Sequence, residues 1–135
     1  MLKDSDWCFA CGQSNPHGLR LNDFNYDGDR YWVSFTPQRH HQGWSGVVHG
    51  GIVATLLDEV MTRMLWHEGT NAATAELNIR YHHPTPVGEE LTATAHKVQR
   101  RHGVMSMEAE VETDDGTVLA SARAKFMTPR DGDDG

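Results

Sequence analysis

A histidine, two glycines and an aspartate follow one another at a spacing that suits chemistry on a carbonyl group. His49-Gly50-Gly51 ends a loop, and Asp58 lies eight residues after Gly50 in an apolar stretch. Glycines at a helix start let backbone N–H groups approach a ligand closely, and that end of a helix favours negative charge. Burying an aspartate among apolar residues costs free energy, so a role in binding or catalysis is expected for it. Backbone donors with a carboxylate indicate attack on a carbonyl carbon and stabilisation of the resulting oxyanion.

One long helix is predicted to carry the aspartate. It runs from about Gly50 to His67 and ends before Gly69. Its apolar stripe, at 3.6-residue spacing, consists of Val53, Leu56, Leu57, Val60 and Met64. Glu59 precedes Arg63 by four residues, the favourable order for an exposed ion pair, so Glu59 is interpreted as a solvated surface residue. Asp58 is then the carboxylate of interest.

Stretches on both sides of this helix alternate between apolar and polar residues, which is typical of half-buried strands. They cover residues 31–35, 73–81, 91–96, 105–111 and 118–126. Arg101-His102-Gly103 predicts a hairpin turn, and Asp115-Gly116 is a strong signal for a two-residue hairpin. One strand, a helix and four strands predict an α+β domain with an antiparallel sheet covered on one face. Many inward-facing alanines predict a sheet curved closely around the helix.

Composition bounds the function. The 135 residues suit a single domain, and the net charge of −7 disfavours general nucleic-acid binding. The mean hydropathy is −0.59, and no run of 18 apolar residues exists, so no membrane span is expected. The first residues lack the apolar stretch of a signal peptide, and there are two cysteines. A cytoplasmic location is therefore predicted.

The chain divides into an irregular leader (1–29), a folded domain (30–128) and an acidic tail (129–135) that is predicted to be disordered. Within the leader, Cys8-x-x-Cys11 is compatible with half a zinc site, a redox pair or two thiols in a turn. No second C-x-x-C exists, and no spacing selects His17, His40 or His41 to complete a zinc site. No metal and no cofactor are predicted.

The segment from His49 to Asp58, followed by four strands, resembles the hotdog-fold acyl-CoA thioesterases. Within that family it is most similar to the 4-hydroxybenzoyl-CoA and phenylacetate-pathway type. The resemblance covers roughly residues 30–128 and implies an antiparallel sheet wrapped around one long central helix. The leader, with Cys8-Phe9-Ala10-Cys11-Gly12, resembles one found on a subset of such proteins.

The resemblance implies hydrolysis of an acyl-CoA thioester to a free acid and CoA. Asp58 matches the carboxylate that acts as general base or nucleophile, and Gly50 matches the glycine whose N–H polarises the carbonyl. Thr74 matches a position that helps to orient the attacking water, and an ordinary strand threonine is the alternative, because Thr74 belongs to the polar set of its strand. A loop position that is often asparagine in this branch is Gly43 here, and the neighbouring Gln42 is a candidate source of the missing amide.

Four further residues have alternative interpretations. His49 is interpreted as a loop-orienting hydrogen-bond donor rather than a base. Gly51 is interpreted as a second donor to the carbonyl, with a simple tight turn at Gly50 and Gly51 as the alternative. Met61 is a candidate for shaping the acyl pocket, although core packing would suit it equally. Trp44 either lines that pocket or covers the core.

The phosphorylated adenosine end of CoA requires cations near the mouth of the site. Two local clusters of basic residues supply candidates in this acidic chain. One contains Arg80 and His82 at a strand end, and the other contains Arg100 and Arg101 in a turn. Ordinary solvated charge is the alternative for each of them.

The spacing between Gly50 and Asp58 bears on assembly. Eight residues of helix span about 12 Å at ~1.5 Å per residue. A nucleophile and an oxyanion donor must both lie within about 3–4 Å of the same carbonyl. The sequence therefore predicts a homodimer with antiparallel helices and sites shared between subunits, which can pair into a dimer of dimers.

Two other functions stay open. One is a non-catalytic acyl-CoA-binding hotdog module whose carboxylate is structural. The other is a hotdog hydratase or dehydratase, which needs a paired acid and base for which no helix motif is apparent in the sequence.

Overall fold

A computed structural model describes residues 2–128 of the chain, so the predicted disordered tail lies outside the described residues. The single long helix, α1, spans Gly50–His67, close to its predicted bounds. The strands are β1 (Asn25–Tyr26), β2 (Tyr31–Phe35), β3 (Ala73–Tyr81), β4 (Leu91–Arg101), β5 (Val104–Thr113) and β6 (Val118–Met127). A short 3-10 helix over Arg39–His41 precedes α1.

The six strands form one antiparallel sheet in the order β1-β2-β4-β5-β6-β3. Hairpins join β4, β5 and β6, whereas α1 connects β2 on one side of the sheet to β3 at the opposite edge. The predicted α+β architecture, with one long helix packed against an antiparallel sheet, is therefore confirmed.

The core lies between α1 and the inner face of the sheet. The most buried helix side chains include Val53, Leu56, Leu57, Val60, Met61 and Met64. Small side chains on the central strands are at most 4% exposed, namely Ala93, Ala95, Ala109, Ala120, Ala122 and Ala124. Because a methyl group occupies little depth, these strands can approach the helix closely.

Strand β3 departs from the predicted alternation. Leu77 and Ile79 are half-buried, but Ala73 and Ala75 are exposed although the pattern placed them inward. The pairing of β3 with β6 is irregular between Thr74 and Glu76, so Ala75 has no partner in the register. A bulge of this kind bends a strand and redirects its side chains.

The two predicted hairpin turns have different outcomes. His102 and Gly103 both have positive φ, +52° and +77°, and form the two-residue turn between β4 and β5. The predicted two-residue turn at Asp115-Gly116 is wrong, because residues 114–117 separate β5 from β6. The Thr117 N–H donates to the Asp115 carboxylate over 3.1 Å, which holds the longer turn, and Gly116 has φ +85°.

The leader packs onto the domain through its own apolar residues. Ala10, Leu19 and Leu21 are buried, and the Leu21 N–H donates to the Ala10 carbonyl over 2.9 Å. Within residues 2–128, no helix combines the length and apolar character needed to cross a membrane.

Candidate functional site

The loop before α1 is closed by its last residue. His49 is the N-cap of the helix, and its Nδ1 accepts a hydrogen bond from the Gly51 N–H over 2.9 Å. The histidine therefore orients the loop as an acceptor, not as the donor predicted from the sequence. The predicted use of Gly51 as a second donor to a carbonyl is corrected as well, because its N–H is already engaged by His49.

Gly50 presents the remaining N–H group at the start of the helix. The first N–H groups of a helix have no intrahelical acceptor, and no acceptor for the Gly50 N–H lies within residues 2–128. On its other side, the Gly50 carbonyl accepts a 2.7 Å hydrogen bond from the Tyr81 hydroxyl at the end of β3. Tyr81 was missed by sequence reasoning, since a contact between a strand end and a helix start leaves no mark in either segment.

Asp58 and Thr74 are brought together. The Thr74 hydroxyl, on β3, donates to Asp58 Oδ1 over 2.7 Å. Asp58 is half-buried on α1, about two turns after Gly50. Thr74 lies at the irregular part of β3 and is exposed, so the face between them is open to a ligand. A carboxylate held by one hydroxyl keeps its other oxygen available for a proton or a carbon atom.

Gln42 and Gly43 build the loop instead of reaching towards Asp58. Gln42 Oε1 accepts from the Gly46 N–H over 2.6 Å, and its Nε2 donates to the Arg39 carbonyl over 2.8 Å. A Cβ on Gly43 would lie 3.1 Å from His49 Cα, tighter than ordinary contact. The glycine thus allows the loop to pack directly against the N-cap residue, and both ends of the Gln42 amide are already engaged.

The interpretation of Glu59 as a solvated surface residue is wrong. Its side chain is buried, and burial raises the pKa of its carboxyl group. Arg63 donates instead to Asp4 over 3.0 Å and lies over the ring of Trp66. The physical reason is the leader, which covers this side of α1 and brings Cys8 Sγ to 3.9 Å from Glu59 Oε2.

A comparison with known protein families agrees with this geometry. The family model described as the thioesterase superfamily matches residues 45–120, which include the end of the loop, α1, Asp58 and Thr74. The chain belongs to the thioesterase superfamily. Its helix and antiparallel sheet are the hotdog fold predicted from the resemblance.

Curated relatives of this thioesterase superfamily member are named acyl-coenzyme A thioesterases. Mouse acyl-coenzyme A thioesterase 13 is 36% identical over 61 residues, which are 44% of this chain and 44% of the relative. Rat acyl-coenzyme A thioesterase THEM4 is 33% identical over 106 residues, 77% of this chain and 45% of the relative. The chain spans under half the length of these curated relatives.

Solved structures share the architecture. A thioesterase superfamily crystal structure superposes with a TM-score of 0.81 at 30% identity, covering 87% of this chain and 61% of the other. A Bacillus halodurans protein crystallised with CoA gives a TM-score of 0.70 at 33% identity, covering 80% and 74%. The E. coli protein from the phenylacetic acid degradation operon has a TM-score of 0.75 at 21% identity, covering 81% and 83%, which shows the fold alone.

Two candidate pocket residues of this superfamily member lie elsewhere than predicted. Met61 is 0% exposed and packs in the core, so its assignment as a substrate-binding residue is corrected. Its place on the inward side of α1 explains this, because that side is filled by the sheet. Trp44 is 85% exposed, so within the described chain it neither lines a pocket nor covers the core.

The two basic clusters lie at opposite ends of the sheet. Arg80 pairs with Ser121 on β6, to which His82 also hydrogen-bonds through Nε2 over 2.9 Å. Arg101 pairs with Val104, which pairs in turn with Met127. Six residues of strand span about 20 Å at ~3.3 Å per residue. One chain therefore cannot bring Arg80 and Arg101 to the same phosphate group.

Arg100 remains with the second cluster. Its Nη2 donates to the Thr128 hydroxyl over 3.3 Å, just beyond the end of β6. Its side chain therefore lies at the end of the sheet that is near the C-terminus of α1.

Proposed function

We propose that the protein is an acyl-CoA thioesterase, which hydrolyses an acyl-CoA thioester to a free acid and CoA. The observation that carries the proposal is the Asp58–Thr74 hydrogen bond on a helix that begins with Gly50, whose N–H has no acceptor among residues 2–128. The names of the curated relatives and the CoA-bound Bacillus halodurans neighbour support the substrate class.

The mechanism follows from the positions of these groups. The Gly50 N–H donates a hydrogen bond to the thioester carbonyl oxygen and stabilises the negative charge that develops there. Asp58 either attacks the carbonyl carbon or removes a proton from the attacking water, while Thr74 fixes the orientation of the carboxylate. In the general-base route, the tetrahedral intermediate expels the CoA thiolate, which takes up the proton that Asp58 removed from water. In the nucleophilic route, loss of the CoA thiolate leaves an anhydride between the acyl group and Asp58. Water hydrolyses this anhydride, which releases the free acid, regenerates the Asp58 carboxylate and supplies the proton for the thiolate.

A homodimer with shared sites is part of the proposal. Gly50 and Asp58 are about 12 Å apart along one helix, too far to act on one carbonyl. Strand β3 is mostly exposed, and within the described chain it is paired on its β6 side alone. A second copy placed against this face, with its helix antiparallel, would complete two equivalent sites and could pair further into a dimer of dimers.

Two substitutions test the chemistry. Asp58→Asn should lower thiol release from a panel of short, medium and aromatic acyl-CoAs by on the order of 10²–10⁴-fold. Gly50→Pro should also lower it, because proline is tolerated at the first helical position yet has no N–H. His49 already has an extended ψ of 134°, as a residue before proline requires. Gly50→Ala, which keeps the N–H, is the matched control.

Shared sites are tested with a mixed dimer. Asp58→Asn and Gly50→Pro chains with different affinity tags are co-expressed, and the heterodimer is isolated. One of its two sites would combine Asp58 of one chain with Gly50 of the other, so about half of the wild-type rate should return. Recovery no greater than that of the parent variants would place the whole site within one chain.

A non-catalytic acyl-CoA-binding module is the second candidate. Gly43 occupies a loop position that is often an amide residue in the resembling branch, and the Gln42 amide is engaged within the loop. Tight acyl-CoA binding without thiol release would favour this module. Hydratase chemistry has less support, because among residues 2–128 the Asp58 carboxylate is partnered by Thr74 and not by a histidine.

A further inference from the structure

The leader's two cysteines meet a buried glutamate of α1. The sulfur atoms of Cys8 and Cys11 and a carboxylate oxygen of Glu59 all lie within 4.8 Å of one another. Both thiols are free and half-buried, and Cys8 Sγ is 3.9 Å from Glu59 Oε2. The histidines considered from the sequence as partners of the cysteines do not belong to this group.

The turn that carries the cysteines is shaped in advance. The Cys11 N–H points at Cys8 Sγ over 3.5 Å, and the Gly12 N–H donates to the Cys8 carbonyl over 2.9 Å. A Cβ on Gly12 would lie 2.4 Å from both the Asp6 carbonyl oxygen and the Cys8 nitrogen, so this tight turn requires glycine. The same N–H would remain a hydrogen-bond donor to a metal-bound sulfur atom.

We propose that Cys8, Cys11 and Glu59 bind one zinc ion, with the fourth position open to the adjoining cavity. Zinc binds thiolate sulfur at about 2.3 Å and carboxylate oxygen at about 2.0–2.2 Å, so tetrahedral ligand atoms lie about 3.5–3.8 Å apart. The sulfur–oxygen distance of 3.9 Å needs little adjustment to reach this range. Two sulfur ligands select a borderline-soft ion over magnesium or calcium.

The charges around the group fit a divalent cation. Two thiolates and a carboxylate on Zn²⁺ leave one negative charge, and the Arg63 guanidinium, which is also paired with Asp4, lines the same cavity of about 200 Å³. Arg63 Nε is buried with no hydrogen-bond partner within residues 2–128, so it is available as a donor to this group.

The ion would fasten the leader to α1. Two ligands come from residues before β1, and the third comes from the helix, directly after Asp58 in the sequence. Metal binding of this kind contributes to folding stability, because the unfolded chain does not hold the ligands together. No step of the proposed hydrolysis passes through the ion, so this site goes beyond the proposed function.

Metal content and cobalt substitution test the site. The full chain, purified under reducing conditions from zinc-supplemented medium, should contain about one zinc per chain by mass spectrometry. Replacement by Co²⁺ should give sulfur-to-cobalt charge-transfer absorption, which Cys8→Ser and Cys11→Ser abolish. Glu59→Gln should change the cobalt ligand-field bands and weaken binding at least about 10-fold, since loss of an outer-shell partner alone costs that much. Glu89→Gln, an exposed carboxylate, is the matched control.

A second measurement, the rate at which maleimide labels the thiols of the wild-type chain, tests the site even if the serine variants unfold. Bound zinc should slow maleimide labelling of both cysteines, and a chelator should restore it. Equal labelling with and without zinc, substoichiometric metal, or a Glu59→Gln cobalt spectrum identical to wild type would overturn the proposal. A Cys8–Cys11 disulfide in place of bound metal would overturn it in favour of a redox pair. Asp58→Asn should bind zinc like wild type, which separates this result from the fate of the hydrolase proposal.

Discussion

The Thr74 hydroxyl donates to Asp58 Oδ1 over 2.7 Å from a strand whose side chains otherwise face mostly outward. The same strand ends at Tyr81, whose hydroxyl donates to the Gly50 carbonyl over 2.7 Å. Strand β3 therefore contacts both ends of the candidate site, the carboxylate through one residue and the helix start through the other. Changes in β3 should affect both halves of the proposed chemistry.

Removal of the Thr74 hydroxyl should slow turnover more than it destabilises the fold. We expect Thr74→Val to lower kcat on the order of 10- to 100-fold, because the Asp58 carboxylate loses its fixed orientation. The free energy of unfolding should fall by about 1 kcal/mol. Thiol-release kinetics and thermal unfolding measure the two effects.

Thr62→Val is the matched control for this variant. The Thr62 hydroxyl donates to the main-chain carbonyl of Asp58 over 2.9 Å, so its loss leaves the carboxylate's own hydrogen bond intact. Equal kinetic losses in the two variants would contradict a specific role for Thr74.

The Tyr81 hydroxyl is predicted to position the start of α1. Tyr81→Phe should lower kcat/KM and decrease stability by about 1 kcal/mol, since the Gly50 carbonyl loses a short hydrogen bond. Tyr26→Phe is the control, because Tyr26 makes a hydrogen bond of the same length, 2.7 Å, to Glu68 away from Asp58. If both variants retain wild-type kcat/KM, Tyr81 has no part in the site.

His49 is predicted to act through its cap and not as a base. His49→Ala should cost about 1 kcal/mol of stability, the usual loss for a helix N-cap. Asparagine is a good N-cap, so His49→Asn should regain most of the stability and of the activity. Restored thermal stability with no thiol release would instead assign His49 to the chemistry.

The pH dependence of stability should report Glu59 in metal-free protein. Burial raises the pKa of this carboxyl above its ordinary value of 4.5, so the folded state keeps a proton that the unfolded chain has lost. Stability is therefore highest below the unfolded pKa and falls as the pH rises through the folded pKa. Glu59→Gln should remove this fall and raise the unfolding temperature at neutral pH.

Thermal unfolding of chelator-treated protein between about pH 4 and pH 7 measures this difference. Glu89→Gln provides the comparison for loss of an exposed carboxylate. Parallel pH curves for wild type and Glu59→Gln would show that the folded and unfolded states bind the Glu59 proton equally.

The sequence by itself determined the long helix, the antiparallel strands and the family, because these depend on local periodicity and on a contiguous motif. The 3.6-residue stripe of α1 and the two-residue alternation of β4 to β6 are set by which face of each element is buried. The helix N-cap and the Asp58 position lie within one short segment, so their spacing could be interpreted without any fold.

Only the tertiary structure decided which distant groups meet. Thr74 and Asp58 are 16 residues apart and Tyr81 and Gly50 are 31 apart, and the path of β3 across α1 sets both contacts. Glu59 looked exposed because its helix neighbours suggested an ion pair with Arg63, yet Cys8, 51 residues earlier, lies beside it. The residue pattern of a helix shows which face is apolar and packs in the core. It does not show whether a segment remote in the sequence covers the opposite, polar face, so the burial of Glu59 leaves no local signature.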